Sequence, residues 1–167
     1  MDEEKLAQKK ILNLKAERLV LRQIYEEQAK THNLPRYEEI EKLGLTYADF
    51  KAEGDIIKIV LFRFLQVFGN LLNQINAYLI PPQQTIKTIV ESDYFDEERK
   101  KELNQKFYEY EALYEKIFLE SYIKNSKEGQ IKILKESFPK IKKALEYFQK
   151  LKEDLIKVWE EGPKEEE

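Results

Sequence analysis

Residues 55–80 read DIIKIVLFRFLQVFGNLLNQINAYLI and run directly into Pro81 and Pro82. The stretch is apolar nearly all round, the mark of a helix covered by neighbours on several sides rather than one lying on a surface. Lys58, Arg63, Gln66, Asn70, Asn73, Gln74 and Asn76 interrupt it. No run of about eighteen uncharged apolar residues remains, so the reading is a buried core helix and not a membrane span. Asp55 is placed to cap its start, and the prolines end it by removing backbone donors and clashing with the preceding turn.

The rest of the chain supplies the cover. On the N-terminal side, residues 5–29 repeat apolar positions at threes and fours (Leu6, Ile11, Leu14, Leu21, Ile24, Tyr25), with Lys and Glu between them. That helix should stop in THNLP at 31–35. A short helix is expected at 37–43 and a break at Gly44. Thr46 should cap a further turn, and Phe50 should tuck this connector onto the core.

On the C-terminal side, 83–92 reads as a short helix with Ile86, Ile89 and Val90 inward, and 93–96 as a turn. Asp96 should cap a helix running to about Tyr122 through Leu103, Phe107, Tyr110, Leu113, Tyr114, Ile117 and Phe118. After a polar loop at 124–129, a short helix at 130–137 and a second one begun by Pro139 complete the pattern. Gly162 and Pro163 should stop that last helix, leaving a charged disordered tail at 162–167 beyond one helical domain at 1–161. The fold class expected is all-α, an up-and-down bundle of four to five main helices.

Composition limits the chemistry. The 167 residues contain no cysteine and one histidine, so disulfides, thiolate zinc sites and Cys-His or Ser-His-Asp catalysis have almost nothing to be built from. His32 reads as a solvated loop residue. No Gly-Lys-Ser/Thr occurs, and no cofactor or metal is expected. A net charge of -3 does not support RNA as a partner by bulk electrostatics, and Lys140, Lys142 and Lys143 are interleaved with glutamates as on a solvated face. No apolar leader is seen near the N-terminus, so the cytoplasm is the default expectation. The Glu/Lys-rich composition would also suit a thermophile.

Two surfaces stand out as candidate binding residues. Arg63, Gln66, Asn70, Asn73 and Gln74 recur at threes and fours along one side of the central helix. They read either as a solvent face or as a groove or subunit contact, since uncharged amides are an odd choice for a plain solvent face in so charged a chain. Tyr110 and Tyr114, with Tyr108 and Tyr122, give the later helix a tyrosine-bearing side, suited either to the edge of a core or to a subunit interface.

Three segments in order also carry a resemblance. LTYADFKAEGDIIKIVLFRFLQVFGNLL (45–72), IVESDYFDEERKKELNQKF (89–107) and IKILKESFPKIKKALEYFQ (131–149) together resemble the HepT-like branch of the HEPN superfamily. These are helical proteins, many of them ribonuclease toxins encoded beside a minimal nucleotidyltransferase antitoxin. The resemblance implies a HEPN-like bundle, a homodimer and a nucleotidyltransferase partner of toxin–antitoxin type. The family motif is Phe-Arg-Asn, three residues, His, one residue, Tyr. It aligns with Tyr110-Glu111-Ala112, Lys116 and Phe118. Glu111 reverses the charge at the arginine position, Lys116 cannot shuttle protons near neutrality without a strongly lowered pKa, and Phe118 lacks the hydroxyl. The expectation is therefore a non-catalytic protein acting by association. The alternatives are a divergent metal-independent ribonuclease using a groove around Arg63, and a purely structural bundle.

Overall fold

The computed structural model describes residues 3–42, 55–81 and 85–161, and its axis is the helix that opens at Asp55. The Asp55 backbone is extended (φ -66°, ψ 108°) and its Oδ1 accepts from the Ile57 N–H at 3.0 Å, satisfying one of the donors that a helix start leaves open. Six α-helices follow one another with no strand among the described residues: α1 (Glu3–His32), α2 (Tyr37–Lys42), α3 (Ile56–Leu79), α4 (Ile86–Tyr94), α5 (Glu97–Phe118) and α6 (Lys127–Glu161). A π-helical turn, Leu119–Lys124, joins α5 to α6.

Helix α3 packs chiefly against α5, then against α6 and α1. Ile57, Val60, Leu61, Phe64, Phe68 and Ile75 lie at helical spacing and are fully covered. By length and composition α3 could cross a bilayer, with a mean hydropathy of 1.5 over its most apolar window. Here its apolar sides are instead closed by other helices, with Leu103, Tyr110, Leu113 and Ile117 from α5 and Leu134, Ile141, Ala144, Phe148 and Leu155 from α6.

Helix α1 ends on Asn33 in the left-handed region (φ 52°), with the Leu34 N–H returning to the Ala29 carbonyl at 2.9 Å. This closure leaves Pro35 free to start the next segment. Tyr25, wholly buried, fixes the corner. Its hydroxyl donates to the Pro35 carbonyl at 2.8 Å and its ring meets that of Tyr37 edge-on at 6.3 Å. Burial, reinforced by the charges of Glu26 and Glu39, holds this phenol well above its ordinary pKa.

Three expectations need correction. The two C-terminal helices are one, α6, with Pro139 inside it. Proline at 139 forfeits the bond to the Lys135 carbonyl, but both residues are exposed, so water can serve that carbonyl. On the buried side the ladder is reinforced, where the Ser137 hydroxyl donates to the Ile133 carbonyl at 2.6 Å. Ile86 is not inward: it is 78% exposed, whereas Val90, Glu91 and, just beyond the helix, Phe95 are buried. Helix α5 does not continue to Tyr122 as α-helix but ends at Phe118, which is exposed. The cap at Asp96 is as expected, with Oδ1 accepting from the Arg99 N–H at 2.8 Å. The cap at Thr46, the placement of Phe50, the stop at Gly162-Pro163 and the tail at 162–167 lie outside the described residues.

A polar clasp ties the end of the π-turn to the start of α3. Lys127 donates to Asp55 Oδ1 at 2.7 Å. Asn125, in the left-handed region (φ 49°), accepts at Oδ1 from both Lys58 and Gln130 at 3.1 Å. Burial pushes the Asp55 carboxyl upward. The hydrogen bond and charge of Lys127, with the N–H groups of Ile57 and Lys58, outweigh this and hold it below the usual carboxylate range. A Cβ at Gly129 would lie 2.7 Å from the Ser126 hydroxyl and still closer to the Glu120 carboxylate, so a larger residue there would have to displace these side-chain ends.

Candidate functional site

The outer side of α3 borders an open groove of about 550 Å³. Phe62, Gln66, Gly69 and Asn73 fall on one line down the helix, and Leu65 and Asn70 flank it. The opposite wall is Tyr114 and Phe118 from the end of α5 and Tyr122 from the π-turn, spaced by four residues. Gly69 forms the floor. A Cβ there would stand 3.8 Å from Tyr114 Cε2, an ordinary contact, so the tyrosine ring passes close to the helix at this glycine.

The wall is aromatic and partly wet. Phe118 and Tyr122 stack with ring centroids 5.2 Å apart, and the Lys58 ammonium sits 5.3 Å from the Tyr122 centroid. Phe62, Phe118 and Tyr122 are 37%, 38% and 41% exposed, and Leu119 and Ile123 extend the apolar surface beyond them. The π-turn produces this extension. Its extra residue per turn changes which side chains face the bundle, so Ser121 is buried while Tyr122 and Ile123 face outward. Burial, then the neighbouring Tyr114, raises the Tyr122 hydroxyl above its ordinary pKa, so it is a neutral group at physiological pH.

Of the candidate binding residues read from the sequence, the structure brings Gln66, Asn70, Asn73, Tyr114 and Tyr122 together here. Arg63 is half-buried beside the groove and its guanidinium donates to Gln66 Oε1 at 2.6 Å. Gln74 lines a different depression, with Lys42, Lys142 and Lys152 from the other flank. Tyr110 belongs to the core, 3% exposed and 5.8 Å from the Phe68 ring. Of the three positions aligned with the ribonuclease motif, Glu111 is half-buried, Lys116 is exposed, and Phe118 alone lines the groove. Sequence reasoning missed Phe62 and Gly69 as site residues, and it named Phe118 only as a position of the altered motif. The only advance signal for Gly69 was a helix-breaking residue in the middle of a helix.

All nine groove residues are uncharged, in a chain of which 37% is charged. Such a surface offers amide donors and acceptors and aromatic faces but no fixed ion, acid or base. Among the described residues no group of three His, Cys, Asp or Glu side chains is placed to hold a metal. Comparison with models of known protein families, with curated proteins and with solved structures returned no match.

Proposed function

We propose that this protein acts by association and not by catalysis, with the neutral groove between α3, α5 and the π-turn as the contact surface and a second copy of the chain as its occupant. The observation that carries the reading is the absence of charge among nine lining residues. A two-fold interface sets residues near the axis against their own copies, where like charges would repel. An amide both donates and accepts, so Gln66, Asn70 and Asn73 can each pair with themselves. The exposed rings of Phe62, Phe118 and Tyr122 add the aromatic area typical of interface centres.

The HEPN resemblance agrees with this reading and adds a minimal nucleotidyltransferase as the second protein to look for by tagged capture from the source cells. Sedimentation velocity tests the dimer directly. The wild type should sediment as a dimer, and Asn70→Glu should raise the dimer Kd at least tenfold, about 1.4 kcal/mol. A wild type that stays monomeric, or a glutamate variant that dimerises equally well, would overturn the proposal. The same preparation should leave RNA intact; cleavage that disappears in Lys116→Ala would overturn the reading of the motif as degenerate.

A further inference from the structure

A second hollow, about 280 Å³, lies at the opposite end of α5, where its first turns meet the end of α4 and the middle of α6. Its floor is apolar and buried, made of Phe95, Leu103 and Leu151. Its rim carries both signs of charge, with Arg99 and Lys150 as cations and Glu102 and Asp154 as carboxylates.

Two tyrosines fix the positions of these charges. The Tyr94 carbonyl accepts from Arg99 Nη1 at 2.7 Å, and the guanidinium lies over the Tyr94 ring at 4.1 Å. The Tyr94 hydroxyl is 3.4 Å from Asp154 Oδ2, to which it donates. The Tyr147 hydroxyl lies close enough to Glu102 for that carboxylate to raise its pKa. Burial raises both phenols above their ordinary pKa, with the neighbouring carboxylates reinforcing it, so both stay protonated donors.

Capacity of each sign is left over. Lys150 makes no hydrogen bond or ion pair among the described residues, and Arg99, ion-paired with Asp96 at 3.9 Å, has committed one of its five N–H groups to Tyr94. Glu102 makes no ion pair among the described residues, so its carboxylate keeps acceptor capacity. A simple anion entering the hollow would meet Lys150 but also face Glu102 and the Asp154 carboxylate, which Lys157 partly neutralises at 3.2 Å, and a simple cation would face Lys150 and Arg99. A molecule bearing both charges on a small apolar body avoids both conflicts. The volume, about 280 Å³, lies just below the roughly 300–1,000 Å³ typical of ligand pockets, which suits a body of amino-acid size.

We propose that this hollow binds a small zwitterion of the amino-acid class, its carboxylate toward Lys150 and Arg99, its ammonium toward Glu102, and its side chain on the Phe95–Leu103–Leu151 floor. The site is separate from the association groove and does not depend on it.

The test is calorimetric titration of the full chain with each of the common free amino acids, followed by charge deletion on whichever binds best. At least one should bind with a Kd of about 1 mM or tighter. Its deaminated acid and its decarboxylated amine should each bind about tenfold or more weakly, the loss expected for one charge-assisted bond. Lys150→Gln and Glu102→Gln exchange single exposed side chains and should weaken binding to the same degree, with an unchanged circular dichroism spectrum. Absence of binding by every amino acid would overturn the proposal. So would a deaminated acid that binds as tightly as its parent, which would define an anion site, or binding that survives both substitutions.

Discussion

The two sides of α3 are built from one helix and ended by the same cap and the same proline, yet they have opposite characters. The inner side, Phe64, Phe68 and Ile75, is closed by α5 and α6. The outer side, Phe62, Gln66, Asn70 and Asn73, faces a groove that no part of the described chain fills. Apolar content does not separate them, since both carry phenylalanine. Neutral amides mark the outer side. Where a protein meets only water, charged side chains are the usual choice, and where it meets its own core, apolar ones are. A row of uncharged polar groups between aromatic residues suits a surface that is wet part of the time.

The sharpest way to break this contrast is to cut into the inner side. Phe68→Ala should cost about 3–5 kcal/mol in chemical denaturation, because the ring is wholly buried against Tyr110. Asn70→Glu, two residues further on, should change monomer stability by less than about 0.5 kcal/mol, as exposed substitutions do, while its effect appears in association. A loss of several kcal/mol there would mean the outer side is core after all.

Asp55→Ala should cost about 1 kcal/mol, the usual value of an N-cap. Because the folded carboxyl titrates below its unfolded value, its contribution is present above about pH 4 and fades as the pH falls through the folded pKa. The difference between wild type and variant, followed by denaturation across acidic pH, should therefore narrow on acidification. A gap that widens there would refute the clasp with Lys127.

Gly69→Ala should have the smallest effect and the opposite sign, stabilising the chain by up to about 1 kcal/mol through helix propensity, since the added Cβ meets Tyr114 at ordinary contact distance. Association should weaken slightly as the groove floor rises, and the two readings should part in one experiment that follows both melting and sedimentation.

Local chemistry made much of the bundle legible. Asp55, Asp96 and Pro81 announce helix ends through groups within four residues of themselves, and the structure places them so. Pro139 misled for the same reason. A proline reads as a helix start when only its neighbours are considered, whereas its exposed position and the packing of Ile133, Ser137 and Ile141 let one helix run through it. In the groove, the amides at 66 and 70 were visible as exceptions to an apolar run. The aromatic wall was not, because Phe62 and Phe118 are indistinguishable in sequence from core phenylalanines, and the π-turn that carries Tyr122 has no local signature. The charged hollow joins residues 94–103 to 147–154, a pairing that only the packing of α6 on α4 and α5 creates.

The position of α3 in the chain has a consequence for synthesis. Its covering residues on α6 begin at Ile133, more than fifty residues after Leu79. At a translation rate of about 5–20 residues per second, this apolar helix waits on the order of 3–10 s outside the ribosome before its last wall exists. During that interval it has the length and hydropathy of a membrane segment. A nascent chain halted before α6 would therefore be a strong client for chaperones that hold exposed apolar helices, and release of the finished chain should end that dependence.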